Sequence, residues 1–443
     1  MESEENQNQT LIDNKYLVIE KLGSGGTANV YKVKELNSNQ IYAAKVFKKS
    51  SNFLEKETSM LRLINNPSII NLVGEGEGPI SKNGKLSSNK KYIILDYAEK
   101  GTLIDYIILP KRGFKEKYAK VIFKKILNGI LECHRRGVCH RDIKLENILL
   151  DNKFTPKICD FGFATLIQGN DGSGILRTRL GTLSYVAPEI LLKKGYNGIK
   201  ADIFSLGPLL FITVTGKIGF FEANKKDPYY RLIIAKHYDE YWNKISSQMP
   251  ETSQEIKNLF IKMISFDPKS RISIEEILEN DPWLNELIEL NNEQLAELDK
   301  EIYNEFLERE KVVLQNSSEN IQVDNQNIDV ENDEFNSRGI GDDDYFSLDL
   351  KLKYEKTGLN MKDYVKIEGE ISPHKFMNAL ANMIKNNNEC SIEAYKNTYK
   401  FLVNFEKKEE ENENNIPELE ELKELEEGDE ANKEEDEEEE DED

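Results

Sequence analysis

Glycines, a paired lysine and glutamate, and a cluster of oxygen donors stand in this sequence at spacings suited to handling phosphate groups. Gly23-Ser24-Gly25-Gly26-Thr27-Ala28-Asn29-Val30 lies between two strand patterns. Glycine there lets the backbone turn tightly enough to bring N–H groups onto phosphate oxygens with no Cβ in the way. Ala28 replaces the third glycine of the G-x-G-x-x-G spacing. Lys45 closes the apolar run Ala43-Ala44-Lys45, and Glu57, on the next helix pattern, offers it a carboxylate. A lysine held by a glutamate is rigid enough to orient phosphates. Taken singly, a glycine run is most often a turn and a strand lysine most often snorkels to solvent. The set gains weight from His140-Arg141-Asp142-Ile143-Lys144-Leu145-Glu146-Asn147, followed by Asp160-Phe161-Gly162 and Ala187-Pro188-Glu189. Their order and spacing fit a single catalytic cleft.

These residues need a scaffold, and the patterning supplies one. Apolar alternation and β-branched residues predict strands near 16–22, 30–33, 41–47 and 92–96. Between them, 53–64 repeats apolar residues at helical spacing. Helical patterns dominate further on, over 119–135, 202–215, 254–264 and 274–277, and Asp281-Pro282-Trp283 closes the region. A strand-rich small part followed by a helix-rich larger part implies two lobes in the α+β class.

With these motifs the chain resembles the eukaryotic protein kinase family over residues 14–287, serine/threonine type. The resemblance implies a two-lobed kinase fold, a β-rich N-lobe on a helical C-lobe, with ATP and Mg2+ bound between them. It implies that Asp142 accepts or orients the substrate hydroxyl proton, while Asn147 and Asp160 ligate magnesium. Lys144 neutralises charge on the transferring phosphoryl group, and His140 is structural. Gly23, Gly25, Lys45 and Glu57 serve the phosphates. Leu22, Val30, Ala43 and Leu149 sandwich the adenine, Leu95 is the gatekeeper, and Asp96-Tyr97-Ala98 form the hinge. Lys144, two residues after Asp142, matches the serine/threonine class. Thr182 is expected to bond Asp142 and Lys144, with Leu183 and Val186 lining a pocket for the residue after the phosphoacceptor. Glu189 is expected to pair with Arg271, and Asp202 to brace the catalytic loop.

Arg141 beside Asp142 marks a kinase gated by phosphorylation of its activation loop, and Thr178, four residues before Thr182, is the expected site, served by an upstream kinase. The run Leu176-Arg177-Thr178 and the His-Arg-Arg-Gly at 134–137 are most similar to the calcium/calmodulin-dependent and AMP-activated kinase group. Glu146 is placed to read a basic residue upstream of the phosphoacceptor, but Thr102 stands where a second acid would help. Three departures stand out: Ala28 is expected to stiffen the glycine loop, Phe204 replaces a tryptophan, and Pro208 falls inside a helix pattern, where it removes an N–H. None touches a catalytic role. A nucleotide-binding scaffold without catalysis and a small-molecule kinase are the rival readings. Intact Lys45, Glu57, Asp142, Asn147 and Asp160 argue against the first, and the segment at Ala187-Pro188-Glu189 against the second.

The chain has 443 residues, room for about two or three domains. Its net charge of −22 is local, because residues 406–443 hold 23 acidic and 4 basic side chains. A like-charge run of that kind repels itself and reads as a disordered acidic tail, able to recruit a basic partner. No Lys/Arg block points to nucleic acid or an anionic membrane, and no run of 18 or more apolar residues occurs. The expectation is a protein of the cytoplasm, and also of the nucleus, acting on protein substrates. Cys133, Cys139, Cys159 and Cys390 show no metal-ligand spacing and read as free thiols. Residues 288–342 comprise an acidic amphipathic helix at 292–313, with Leu295, Leu298, Ile302 and Phe306 on one face, and a polar linker from 314. Residues 343–405 regain periodicity as a small βαββ module with a regulatory or docking role.

Overall fold

In the computed structural model, the described residues are 9–48, 53–82, 85–169, 171–193, 195–246, 250–287 and 289–321, with three strands beyond them. The small lobe is built from β1 (Thr10–Ile12), β2 (Tyr16–Ser24), β3 (Ala28–Glu35), β4 (Ile41–Phe47), α1 (Phe53–Leu63), β5 (Leu72–Lys82) and β6 (Lys85–Asp96). Its strands close into an antiparallel barrel in the order β1-β2-β3-β4-β6-β5, because β1 pairs with both β2 and β5. Period-two alternation then sorts the side chains. Tyr31, Val33, Ala44, Val46, Tyr92 and Ile94 fill the barrel. Val30, Ala43, Lys45 and Leu95, on the opposite face of the same strands, are left for the cleft.

Period-two patterning does not predict β5, whose 74–78 segment alternates glycine and glutamate. The reason lies across the sheet: a Cβ on Gly76 would fall 2.4 Å from the Tyr92 hydroxyl, and one on Gly78 would fall 2.1 Å from an Asp13 carboxylate oxygen. Tyr92 donates to that carboxylate at 2.7 Å, so the glycines make room for a bond that ties β6 to the β1–β2 turn.

The large lobe comprises α2 (Asp105–Ile108), α3 (Glu116–Arg135), β7 (Val138–Cys139), β8 (Ile148–Leu150), β9 (Pro156–Ile158), β10 (Thr165–Leu166), α4 (Pro188–Leu191), α5 (Gly198–Thr215), α6 (Tyr230–Ile234), α7 (Tyr238–Ser246), α8 (Gln254–Met263), α9 (Ile274–Asn280), α10 (Pro282–Asn285) and α11 (Asn292–Ile321). α5 is the central helix. Among the described residues it alone is long and apolar enough to cross a membrane, and 89% of it is buried inside the lobe. Pro208 does not break it. Gly207, just before the proline, brings α5 against Ile264, where a Cβ would sit 2.4 Å from a methyl carbon. Trp283, capped by Asp281, is buried and donates its indole N–H to Glu116 at 2.9 Å.

The predicted acidic helix is present as α11 and extends past 313 into the stretch read as linker. There Asn316 Nδ2 donates to the Val312 carbonyl at 2.7 Å. Leu298, Ile302 and Phe306 are buried in the same hydrophobic cluster as α3 and α5, so α11 docks on the large lobe. Cys133, Cys139 and Cys159 are free thiols; burial pushes Cys139 up to about 12. In a second compact unit, Asn336–Asp443, strands β11 (Asp363–Val365), β12 (Cys390–Tyr395) and β13 (Lys400–Phe405) form an antiparallel sheet in the order β11-β13-β12. The helix of the predicted βαββ module, the linker beyond 321 and the acidic tail lie outside the described residues.

Candidate active site

Lys45, on the cleft face of β4, meets Glu57 of α1 through both carboxylate oxygens at 2.8 and 2.7 Å. Its ammonium also reaches Asp160 Oδ1 at 2.8 Å. Burial pulls the Lys45 pKa down, but the Glu57 and Asp160 charges outweigh it and hold it above the usual lysine value. Burial likewise opposes the ionised form of Asp160, and Lys45 reverses that, leaving the carboxyl below its ordinary value. Glu57 is raised by burial and by the second carboxylate, against Lys45. Asp160 takes a left-handed backbone, φ 61° and ψ 71°, as the chain turns to bury Phe161 against His140. Half of the Asp160 side chain stays open to the cleft.

The catalytic-loop candidates converge on one carboxylate. Asp142 Oδ2 accepts from Asn147 Nδ2 at 3.0 Å and pairs with Lys144 Nζ at 2.8 Å. Its Oδ1 accepts from the Thr182 hydroxyl at 3.3 Å, and Lys144 donates to the same hydroxyl at 3.0 Å. Asn147 Nδ2 also donates to the Asp142 carbonyl at 2.8 Å, which turns its side-chain oxygen away from these bonds. The Cys159 N–H donates to the Asn147 backbone carbonyl at 2.9 Å, which joins the catalytic loop to the chain entering Asp160. Two hard oxygen donors suit Mg2+, which keeps waters and takes phosphate oxygens as its remaining ligands. Among the described residues, no group of three or more His, Cys, Asp or Glu is placed to hold a cation.

The glycine loop is the turn from β2 into β3, where Gly23 pairs with Val30. Added Cβ atoms at Gly23 and Gly26 would meet nothing within 4 Å, so the loop borders open space. Ala28 closes the turn, its carbonyl accepting from the Gly25 N–H at 2.9 Å, and opens β3, where it is 3% exposed and pairs with Phe47. Its methyl packs in the core. On β4 and β6, Ala43 faces Leu95 in register, with Asp96 next along β6. Ala98 follows, buried, and Leu149 bridges to Thr102 on the far side. Leu22 is 43% exposed at the mouth. Val30, Ala43 and Leu95 thus stand on the cleft face of the small-lobe strands, and Leu149 on β8 of the large lobe. Thr102 donates to Asp105 at 2.6 Å, so an acid does stand near the position where the sequence lacks one.

Arg141 is buried at φ 67°. It donates to the Phe163 carbonyl at 2.8 Å and to the Tyr196 hydroxyl at 3.3 Å. Tyr196 in turn donates to the Thr178 carbonyl at 2.9 Å, and its backbone exchanges two 2.8 Å bonds with Leu176. Lys56 on α1 lies near enough that Arg141 adds to burial in lowering its pKa. A small pocket beside Asp142 is lined by Leu180, Gly181, Thr182, Tyr185, Val186 and Ile190. Val186 lines it as expected; Leu183 does not, and is 39% exposed.

The supporting pairs are formed. Arg271 grips Glu189 with two bonds, 2.7 and 2.6 Å, and stacks over Phe204 at 4.9 Å, so an aromatic ring is what that position needs. Asp202 accepts from the His140 and Arg141 backbone N–H groups, each at 2.8 Å. The His140 ring meets the Cys159 carbonyl at 3.0 Å through Nε2 and accepts from the Asp142 N–H at 3.3 Å through Nδ1, the bonds of a structural imidazole. His134, 2.9 Å from Asp202, and Tyr196 are absent from the sequence-based site; each finds its partner more than 50 residues away in the chain.

A protein kinase domain model matches residues 16–284 of this chain. Curated relatives include CBL-interacting protein kinase 26 of Oryza sativa subsp. japonica, 34% identical over 291 residues, covering 64% of this chain and 55% of the relative. CBL-interacting serine/threonine-protein kinase 20 of Arabidopsis thaliana is 32% identical over 281 residues, covering 62% of this chain and 60% of the relative. The chain thus spans between half and two thirds of the length of the curated relatives it matches. The match covers both lobes and every residue gathered around Asp142 and Lys45, and the chain belongs to the protein kinase domain family.

Proposed function

We propose that this chain is a serine/threonine protein kinase, moving the γ-phosphoryl group of ATP to Ser or Thr hydroxyls of protein substrates. The observation that carries the reading is the shared grip on Asp142. Lys144, Asn147 and Thr182 fix its carboxylate beside the apolar pocket that can seat the residue after a phosphoacceptor.

In this reading Asp142 orients the incoming hydroxyl and takes up its proton as the new O–P bond forms and the bond to the leaving phosphate breaks. Lys144 offsets charge on the phosphoryl group in flight. Lys45, locked by Glu57, positions the phosphates under the glycine loop. Leu22, Val30, Ala43 and Leu149 hold the adenine, Leu95 guards the slot, and the backbone of Asp96 and Ala98 pairs with the adenine edge. Asn147 and Asp160 would hold Mg2+, which would supply charge neutralisation at the phosphates.

Thr178 is the proposed activating site of an upstream kinase. A phosphate there adds about −1.5 to −2 charge. Arg141 is the cation proposed to take it, and Tyr196 already ties Arg141 to the Thr178 backbone. Residues 343–405 are proposed as a regulatory or docking module and the acidic tail as a site for a basic partner, in a protein of the cytoplasm and nucleus.

Purified full-length chain with Mg-ATP on an arrayed peptide library tests the reading, beside Asp160→Asn. Phosphorylation of Ser/Thr peptides by the wild type alone is expected; equal signal from both proteins refutes it. Thr178→Ala at full activity removes the proposed switch.

A further inference from the structure

Helix α11 lies beyond the segment matched by the family model, yet it is fastened to the lobe by its most deeply buried cation. Arg309 is 1% exposed. Its guanidinium donates to three backbone carbonyls, Tyr106 at 2.7 Å, Arg112 at 2.8 Å and Gly113 at 2.6 Å, and lies 3.8 Å over the Phe114 ring. Glu305, one turn earlier, accepts its fourth bond at 2.7 Å. Burial lowers the Arg309 pKa to about 10, which leaves it charged at neutral pH. Planar donors directed at several carbonyls are a task lysine cannot perform. Gly113 is required there too, because a Cβ would sit 2.0 Å from the Val214 carbonyl.

What α11 grips is the stretch leaving the hinge. Glu310 pairs with Lys100 at 2.8 Å, two residues past Ala98. Lys100 N–H donates to the Leu150 carbonyl at 3.0 Å, Leu150 N–H to Gly101 at 2.9 Å and Leu103 N–H to Ile148 at 2.7 Å. The hinge exit is therefore zipped onto β8, the strand that carries Leu149 and follows Asn147. The turn after β8 is held as well. Phe154 sits at φ 59°, a left-handed conformation unfavourable for a bulky residue. Phe306 stacks on it at 4.9 Å and 6°, with Tyr303 and Tyr106 edge-on. The hinge exit and the turn after β8, on either side of Leu149, thus both rest on α11.

We propose that α11 is a positioning element of the nucleotide pocket: Arg309, Phe306 and Glu310 hold the hinge exit and the β8–β9 turn in the register that shapes the adenine slot. None of the three touches the ligand; they act through Lys100, Phe154 and β8. The proposal rests on the nucleotide-binding part of the kinase reading.

The test uses full-length protein and titrates a fluorescent ATP analogue directly, beside steady-state kinetics and thermal melting. Glu310→Gln and Arg309→Met are expected to weaken nucleotide affinity about fivefold, with the peptide KM unmoved. The Lys100→Glu/Glu310→Lys swap is expected to restore most of the loss. Folded variants with wild-type nucleotide affinity, or with lowered kcat at unchanged affinity, overturn the proposal. Should Arg309→Met fail to fold, Glu310→Gln and the swap decide. A wild type that binds nucleotide without turnover sinks the kinase reading alone, and a wild type that binds none sinks both.

Discussion

Asn147 and Asp142, five residues apart, are joined twice, through the Asp142 carbonyl at 2.8 Å and its carboxylate at 3.0 Å. One amide group therefore sets both the backbone turn and the aim of the carboxylate, and its oxygen is left for a cation. Asp142→Asn keeps the shape but removes the proton acceptor. A drop in kcat of about 10²- to 10⁴-fold is expected, with the ATP KM little changed. Single-turnover and steady-state assays with peptide check this; near-normal kcat would take Asp142 out of the proposed chemistry.

The Lys45–Glu57 pair makes a second, separable prediction. Glu57→Gln removes the charge and one of the two oxygens that hold Lys45, leaving Asp160 as its only carboxylate partner. Hydrogen bonds to charged groups are worth about 1.5–3 kcal/mol, so kcat/KM for ATP should fall about 10- to 100-fold. An unchanged value would mean that α1 does not orient the lysine.

Arg271 and Glu189 form a buried bidentate pair that has no part in the proposed transfer chemistry. Removing one partner strands the other, and such losses cost about 3–5 kcal/mol. Arg271→Met should lower the stability by that order in denaturant titrations while leaving nucleotide affinity unaltered. A loss below about 1 kcal/mol, the range of an exposed pair, would contradict the geometry.

Asp160 carries a pH dependence. Its folded pKa lies below the ordinary 3.8 because Lys45 outweighs the effect of burial. A depressed carboxyl contributes stability that is present above the unfolded value and lost as pH falls through the folded one. The stability difference between wild type and Asp160→Asn should therefore be full at neutral pH and shrink as pH drops below 3.8. Equilibrium unfolding across that range measures it, and a difference that grows on acidification would reverse the assigned sign.

The residues at 140–147 and 160–162 are legible in sequence because their spacing is short and their chemistry is local. The backbone can hardly avoid bringing Asp142, Lys144 and Asn147 together once the loop forms. Strand alternation likewise separates Val30, Ala43 and Lys45 from the residues inside the barrel. The 74–78 stretch is illegible for the opposite reason: it reads as a flexible glycine run until Tyr92 and Asp13 fill the space its missing side chains leave. Ala28 reads as a changed loop residue, yet strand pairing with Phe47 puts it in the core.

Periodicity by itself determined the two lobes and the amphipathic face of α11, since each depends on neighbours within a turn or two of chain, and the motifs at 140–147 and 160–162, through the family they resemble, pointed to the cleft chemistry. Only the tertiary structure decided that Tyr196 links Arg141 to Thr178, that His134 supports Asp202, and that Arg309 gathers three carbonyls some 200 residues upstream. A buried polar group must find a partner wherever the fold offers one, and no spacing rule along the chain encodes which carbonyl that will be.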